Sequence, residues 1–115
     1  MAITHEEINE ACLPVLENVG YHDTSDRHER RFLNAFQIYE LLRTANSDFC
    51  NILIDACDGE YIGKDAGSNV GPVQKIAQAL GRNSNIETQY IDIRDMAIAG
   101  NLPTGEDCGI FRLRD

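Results

Sequence analysis

Residues 71–93 read GPVQKIAQALGRNSNIETQYIDI, and their hydrophobic period changes part-way along. Apolar residues of the first half recur at steps of three and four, the spacing of one helical face: Val73, Ile76, Ala77 and Leu80. From Ile86 to Tyr90 the side chains instead alternate in character, as in a strand with one buried face. With Pro72 in its first turn and Gly81 just past its end, the first half predicts a helix over 72–80. The second half predicts a strand over 86–93.

Residues 108–114 predict the partner of that strand. Phe111 and Leu113 fall on one face of an extended chain, and Ile110, Arg112 and Arg114 fall on the other. The intervening residues 94–107 contain Gly100 and the turn-forming run Pro103-Thr104-Gly105, which indicates a loop. We therefore expect a C-terminal antiparallel β-hairpin that is joined by a long loop.

The N-terminal part of the chain predicts a first helix over residues 5–17. Thr4 and Glu7 match a capping box, in which each side chain accepts a hydrogen bond from the backbone N–H of the other residue. Pro14 lies inside the pattern and lacks a backbone N–H, so we expect a kink or an early end there.

Two further helices are expected before the glycine-rich segment. A strongly amphipathic pattern predicts one over residues 26–44, capped by Thr24 or Ser25. Residues 48–58 fit either a short buried strand or a helix that Ser47 caps at its start and Gly59 closes at its end, and the helix is favoured.

These elements make an α+β fold, with N-terminal helices followed by a C-terminal hairpin, in a single domain spanning residues 1–115. The order of helices, strand, loop and strand has the outline of a winged helix, in which the helix over 72–80 would be the recognition helix. The side chains that we expect in the core are Phe32, Phe36, Tyr39, Leu42, Leu53, Ile76, Leu80 and Phe111.

The chain is acidic, with ten Lys plus Arg against nineteen Asp plus Glu and a formal net charge of −9. The electrostatic field of a molecule with this net charge repels phosphates and anionic lipids, so a nucleic-acid binder would need a local basic patch. No apolar stretch approaches the roughly 18 residues of a membrane span. The first residues, MAITHEEINEAC, lack the basic and apolar regions of a signal peptide. We therefore expect a cytoplasmic protein with no membrane partner.

The cysteines and histidines lack metal or catalytic spacing. Cys12, Cys50, Cys57 and Cys108 form no C-x-x-C pair, which favours small buried side chains with reduced thiols. His5, His22 and His28 all lie in the first quarter of the chain, and surface positions are favoured for them. We predict no metal site and no cofactor, and no local nucleophile signature supports an enzyme.

The glycine-rich segment, residues 59–71, is the stretch that would hold a small molecule if the chain binds one. Acidic Asp58 and Asp65 stand at two positions of a phosphate-binding loop pattern, which excludes nucleotide hydrolysis. A connector is the favoured interpretation, and an anion site at the start of the next helix is the alternative. Ser68 or Asn69 would cap that helix. The candidate loop site consists of Gly63, Lys64, Gly67, Ser68 and Asn69.

Two sets of polar residues could contact a macromolecule. Arg27, Arg30 and Arg31 fall on the first turns of the predicted helix 26–44, where a solvated face with salt bridges is favoured. The helix over 72–80 exposes a second set, whose amide and cationic groups suit base edges: Gln74, Lys75, Gln78 and Arg82. The acidic loop after the strand and the net charge argue against DNA.

Three segments together resemble small bacterial proteins carried on mobile integron gene cassettes: FQIYELL (36–42), GPVQKIAQAL (71–80) and CGIFRL (108–113). The resemblance spans residues from about 30 to the C-terminus and includes no catalytic motif. It implies a bacterial cytoplasmic adaptor or accessory protein.

The residues favour a non-enzymatic interaction or adaptor protein that binds another protein through charge complementarity, with self-association as one form of this. The alternatives are a winged-helix nucleic-acid-binding regulator, and a small-molecule-binding protein or enzyme with its site near residues 59–71.

Overall fold

A computed structural model describes residues 3–20, 30–62, 70–93 and 107–114. The helices are α1 (His5–Glu17), α2 (Ala35–Ala45), α3 (Ser47–Ala56) and α4 (Pro72–Gly81). The strands are β1 (Leu33–Asn34), β2 (Ile86–Asp92) and β3 (Asp107–Leu113). The α+β class is confirmed, as is the order of helices followed by a hairpin. No helix within these ranges is long and apolar enough to cross a membrane.

The three strands form an antiparallel sheet in the order β1-β3-β2. The expected hairpin is present. Strand β2 ends one residue earlier than predicted, and β3 begins and ends one residue earlier than predicted. Its register runs without interruption from Ile86↔Leu113 to Asp92↔Asp107. The sequence did not predict β1, which pairs Leu33 with Phe111 on the other side of β3.

The core lies where α4 packs against α1, α2 and the sheet. Its fully buried side chains include Ile8, Leu16, Ile38, Tyr39, Leu42, Leu53, Ile76 and Leu80. Six of the eight expected core residues are buried. The other two, Phe32 and Phe36, are only half-buried, because they lie beside β1 at the edge of the core rather than on a continuous helix.

The expected start of α2 is wrong. Residues 30–34 are not helical, and α2 begins at Ala35 because Leu33 and Asn34 pair with β3. Asn34 then caps the helix: its Oδ1 accepts from the Gln37 N–H at 2.9 Å, and the Gln37 Oε1 accepts from the Asn34 N–H at 3.0 Å. Arg30 and Arg31 therefore precede the helix. The proposed caps Thr24 and Ser25, and Arg27, lie outside the described residues.

The other helices follow the sequence more closely. The Thr4–Glu7 capping box is confirmed. The predicted bounds 5–17 of the first helix are confirmed. Pro14 does not end α1, which continues to Glu17 with the proline side chain exposed. Residues 47–56 are helical as favoured, although the cap is Asn46, whose Oδ1 accepts from the Phe49 N–H at 3.2 Å.

The N-cap of α4 is Gly71, which makes no side-chain hydrogen bond, so the expected cap at Ser68 or Asn69 is wrong. Close packing explains the glycine. A Cβ atom at Gly71 would lie 1.9 Å from the Tyr61 carbonyl oxygen. The chain after α3 therefore presses directly on the start of α4.

Candidate interaction surfaces

The polar residues of α4 occupy one side of the helix, opposite its buried side chains. Gln74 and Arg82 are exposed, and Lys75 and Gln78 are half-buried. The structure therefore brings together the four candidate residues that the helical period predicts. Within the described residues, neither Lys75 nor Arg82 has an ion-pair partner.

Arg112 of β3 and Arg114 just after it do not extend this face into a broad basic patch. Arg112 donates to one carboxylate oxygen of Glu87 through Nε at 3.0 Å and through a terminal nitrogen at 2.8 Å. Its guanidinium also lies 4.2 Å from the centre of the Phe32 ring. The hydrogen bonds from Arg112 hold the pKa of Glu87 below its ordinary value. Arg114 donates to the Ser84 carbonyl at 3.1 Å, so both side chains have structural contacts.

A second polar cluster links α2 to the chain after α3. The Tyr39 hydroxyl donates to the Glu60 carboxylate, and the Arg43 guanidinium lies 2.5 Å from the same oxygen. Burial and the hydrogen bond with Glu60 raise the pKa of Tyr39 to about 12. The phenol is therefore protonated at neutral pH and serves as a donor rather than a base.

The cysteines behave as the sequence predicts for small buried side chains. Cys12, Cys50 and Cys108 are buried, Cys57 is half-buried, and all four thiols are free. Burial raises the pKa of all four, that of Cys12 to about 12. Because the thiolate is the reactive form, this environment opposes a nucleophilic role.

The outer side of β2 is the largest backbone surface that the described strands leave unpaired. The Arg114 N–H donates to the Asn85 carbonyl at 2.9 Å, which extends the β2–β3 register by one pair. Hydrogen-bonded and non-hydrogen-bonded pairs alternate along an antiparallel ladder. Gln89 therefore directs its backbone groups at β3. The backbone groups of Thr88 and Tyr90 point away from the sheet, and we call this surface the β2 edge.

Among the described residues, the β2 edge lacks several features that often protect an outer strand. Its sequence, IETQYID, has no Lys or Pro, and its pairing with β3 contains no bulge. The Tyr90 side chain is 71% exposed and that of Ile91 is 40% exposed. Sequence reasoning missed this surface, since the alternation along β2 shows which face is buried but not which edge is free.

The candidate loop site of Gly63, Lys64, Gly67, Ser68 and Asn69 lies outside the described residues, as do His22 and His28. Across residues 3–20, 30–62, 70–93 and 107–114, no group of three or more His, Cys, Asp or Glu side chains could hold a metal ion.

No family model, curated protein or solved structure matches the chain. The resemblance to integron cassette proteins stays a prediction.

Proposed function

We propose that the chain is an adaptor that binds a protein partner, and that an extended segment of the partner adds as a fourth strand along the β2 edge. The observation that carries this proposal is the outer strand β2, whose outer side no described strand pairs with, and its exposed Tyr90 and Ile91. In strand addition, backbone hydrogen bonds supply affinity and alternate side chains supply specificity. Thr88 and Tyr90 offer those backbone groups.

The charge of the molecule indicates the chemistry of the partner segment. At a net charge of −9, a basic segment is attracted and an acidic one is repelled. Asp92 and Asp107 form the last pair of the hairpin, so acidic groups stand at one end of the β2 edge. A second copy carries the same charge, which opposes self-pairing. We infer a partner strand that alternates apolar and basic residues.

A peptide titration tests this proposal. The probe is fluorescently labelled Lys-Val-Lys-Val-Lys-Val-Lys, and the matched control has Pro in place of each Val. The control keeps the charge but loses three backbone donors and favours a polyproline conformation. We expect the valine peptide to bind, with an affinity that falls as salt is added, and the proline peptide to bind far more weakly.

Two variants of one residue separate backbone pairing from side-chain contact. Tyr90→Pro removes an outward N–H, whereas Tyr90→Ala keeps it. Losing this one hydrogen bond, of about 0.5–1.5 kcal/mol, should weaken binding of the valine peptide about two- to tenfold. Tyr90→Ala should weaken binding less. Equal binding of the two peptides would show charge attraction alone and would refute strand addition.

A further inference from the structure

A cavity of about 480 Å³ lies between the end of α1, the segment that leads into β1 and the second half of α2. Small-molecule sites typically enclose about 300–1,000 Å³ and are mainly apolar. The apolar part of the wall is formed by Val15, Val19, Phe32, Leu33, Leu41 and Ala45. Leu41 is 46% exposed, so an apolar ligand here would cover a large side chain that now contacts water.

The polar groups of the cavity point to an anionic ligand. Arg31 is the only charged residue among the described residues that line it, and Asn18 and Thr44 are uncharged. Arg31 is exposed, and within the described part of the chain its guanidinium has no ion-pair partner. A guanidinium binds a carboxylate through two parallel hydrogen bonds, so charge complementarity favours one carboxylate at this position.

Hydrogen bonds and a cation–π contact hold the walls of the cavity in place, both at the end of α1 and in the segment that leads into β1. The Arg31 N–H donates to the Gly20 carbonyl at 3.2 Å. The Arg30 guanidinium donates to the Glu17 carbonyl at 2.5 Å and the Val19 carbonyl at 3.2 Å, at the C-terminus of α1. The Phe32 ring is fixed by Arg112. The cavity therefore exists before a ligand arrives, which lowers the entropy lost on binding.

We propose that this cavity binds an amphipathic monocarboxylate, with the carboxylate paired to Arg31 and the apolar body against Phe32 and Leu41. The site lies apart from the β2 edge and does not depend on strand addition. No covalent step is involved. None of the described residues that line the cavity belongs to segment 59–71, which was the alternative small-molecule site in the sequence.

The test uses octanoate and 1-octanol, which share an apolar chain and differ in charge. Amide chemical shifts of the full chain are followed during titration, and we expect octanoate to shift the amides of Val19, Phe32 and Leu41. Arg31→Gln should weaken octanoate binding at least tenfold and leave octanol binding unchanged. Leu41→Asp should abolish binding of both.

Two control variants match these changes. Arg82→Gln removes an arginine at the C-cap of α4 that has no ion-pair partner among the described residues. Ile52→Asp places a charge at another exposed apolar side chain, 49% accessible on α3. Neither should alter octanoate binding. Unperturbed amides around the cavity at 5 mM octanoate, or unchanged octanoate affinity in Arg31→Gln, would overturn the proposal. Should Leu41→Asp fail to fold, the octanoate and octanol titrations of the unmodified chain and of Arg31→Gln still decide it.

Discussion

At Gly71, adding one methyl group should disturb the fold. Its Cβ would overlap the Tyr61 carbonyl oxygen at 1.9 Å, so Gly71→Ala must displace backbone and should destabilise the protein by about 3 kcal/mol. Gly81 ends α4, and a Cβ atom there would meet nothing within 4 Å, so Gly81→Ala should stabilise the protein by about 0.5–1 kcal/mol. Urea unfolding measures both changes. An unchanged free energy of unfolding in Gly71→Ala would mean that Tyr61 does not pack closely against the start of α4.

Single residues also show where sequence reasoning was sufficient. The Thr4–Glu7 box was readable from its spacing, and Asn34-x-x-Gln37 offered the same signal for the true start of α2. The Tyr39–Glu60 hydrogen bond was not readable, because it joins residues that only the packing of separate segments brings together. Gly71 fell in the glycine-rich segment, for which a connector was the favoured interpretation, and the steric role of Gly71 against Tyr61 could not be predicted from the sequence.

Within β2, neighbouring residues should respond differently to proline. Gln89 directs its N–H at β3, so Gln89→Pro removes a ladder hydrogen bond and leaves its acceptor unpaired, which should destabilise the protein by about 1–3 kcal/mol. Tyr90 directs its N–H outward, where proline is tolerated in outer strands, and Tyr90→Pro should cost less than about 1 kcal/mol. Urea unfolding measures the free energy of unfolding of the two proline variants, and Gln89→Ala and Tyr90→Ala are the controls for loss of the side chain. Equal losses of stability in Gln89→Pro and Tyr90→Pro would contradict the assignment of the β2 edge.

Among the elements, those with a long hydrophobic period were predictable. The helical spacing of apolar residues over 72–80 predicted α4 and its exposed face, and the alternation of apolar and polar residues predicted β2. Strand β1 has only two residues, too few to show an alternation of apolar and polar side chains, so it could not be recognised from the sequence. Its pairing with Phe111 joins residues that are far apart along the chain. That contact makes β3 the central strand, so that no other described strand pairs with the outer side of β2. The β2 edge thus follows from topology rather than from local sequence.

For the whole molecule, the positions of the cations decide which anions it can attract. Several arginines already have partners: Arg30 at the end of α1, Arg43 beside Glu60, Arg112 beside Glu87 and Arg114 at Ser84. On α4, Lys75 and Arg82 have no acidic partner among the described residues. These two cations, together with Arg31 at the cavity beside α1, give little attraction for a phosphate backbone in a chain of net charge −9.

We therefore expect no binding to duplex DNA at about 150 mM salt, even at tens of micromolar protein, since non-specific binders rely on many phosphate contacts to reach dissociation constants of roughly 10⁻⁴–10⁻⁶ M. Fluorescence anisotropy with a labelled mixed-sequence duplex measures this, and a low-salt titration increases its sensitivity. Two phosphate contacts would give a salt dependence with a slope of only about −2 in log–log form. Lys75→Glu with Arg82→Glu is the control variant. Binding at about 150 mM salt that this variant abolishes would instead make the face of α4 a nucleic-acid site.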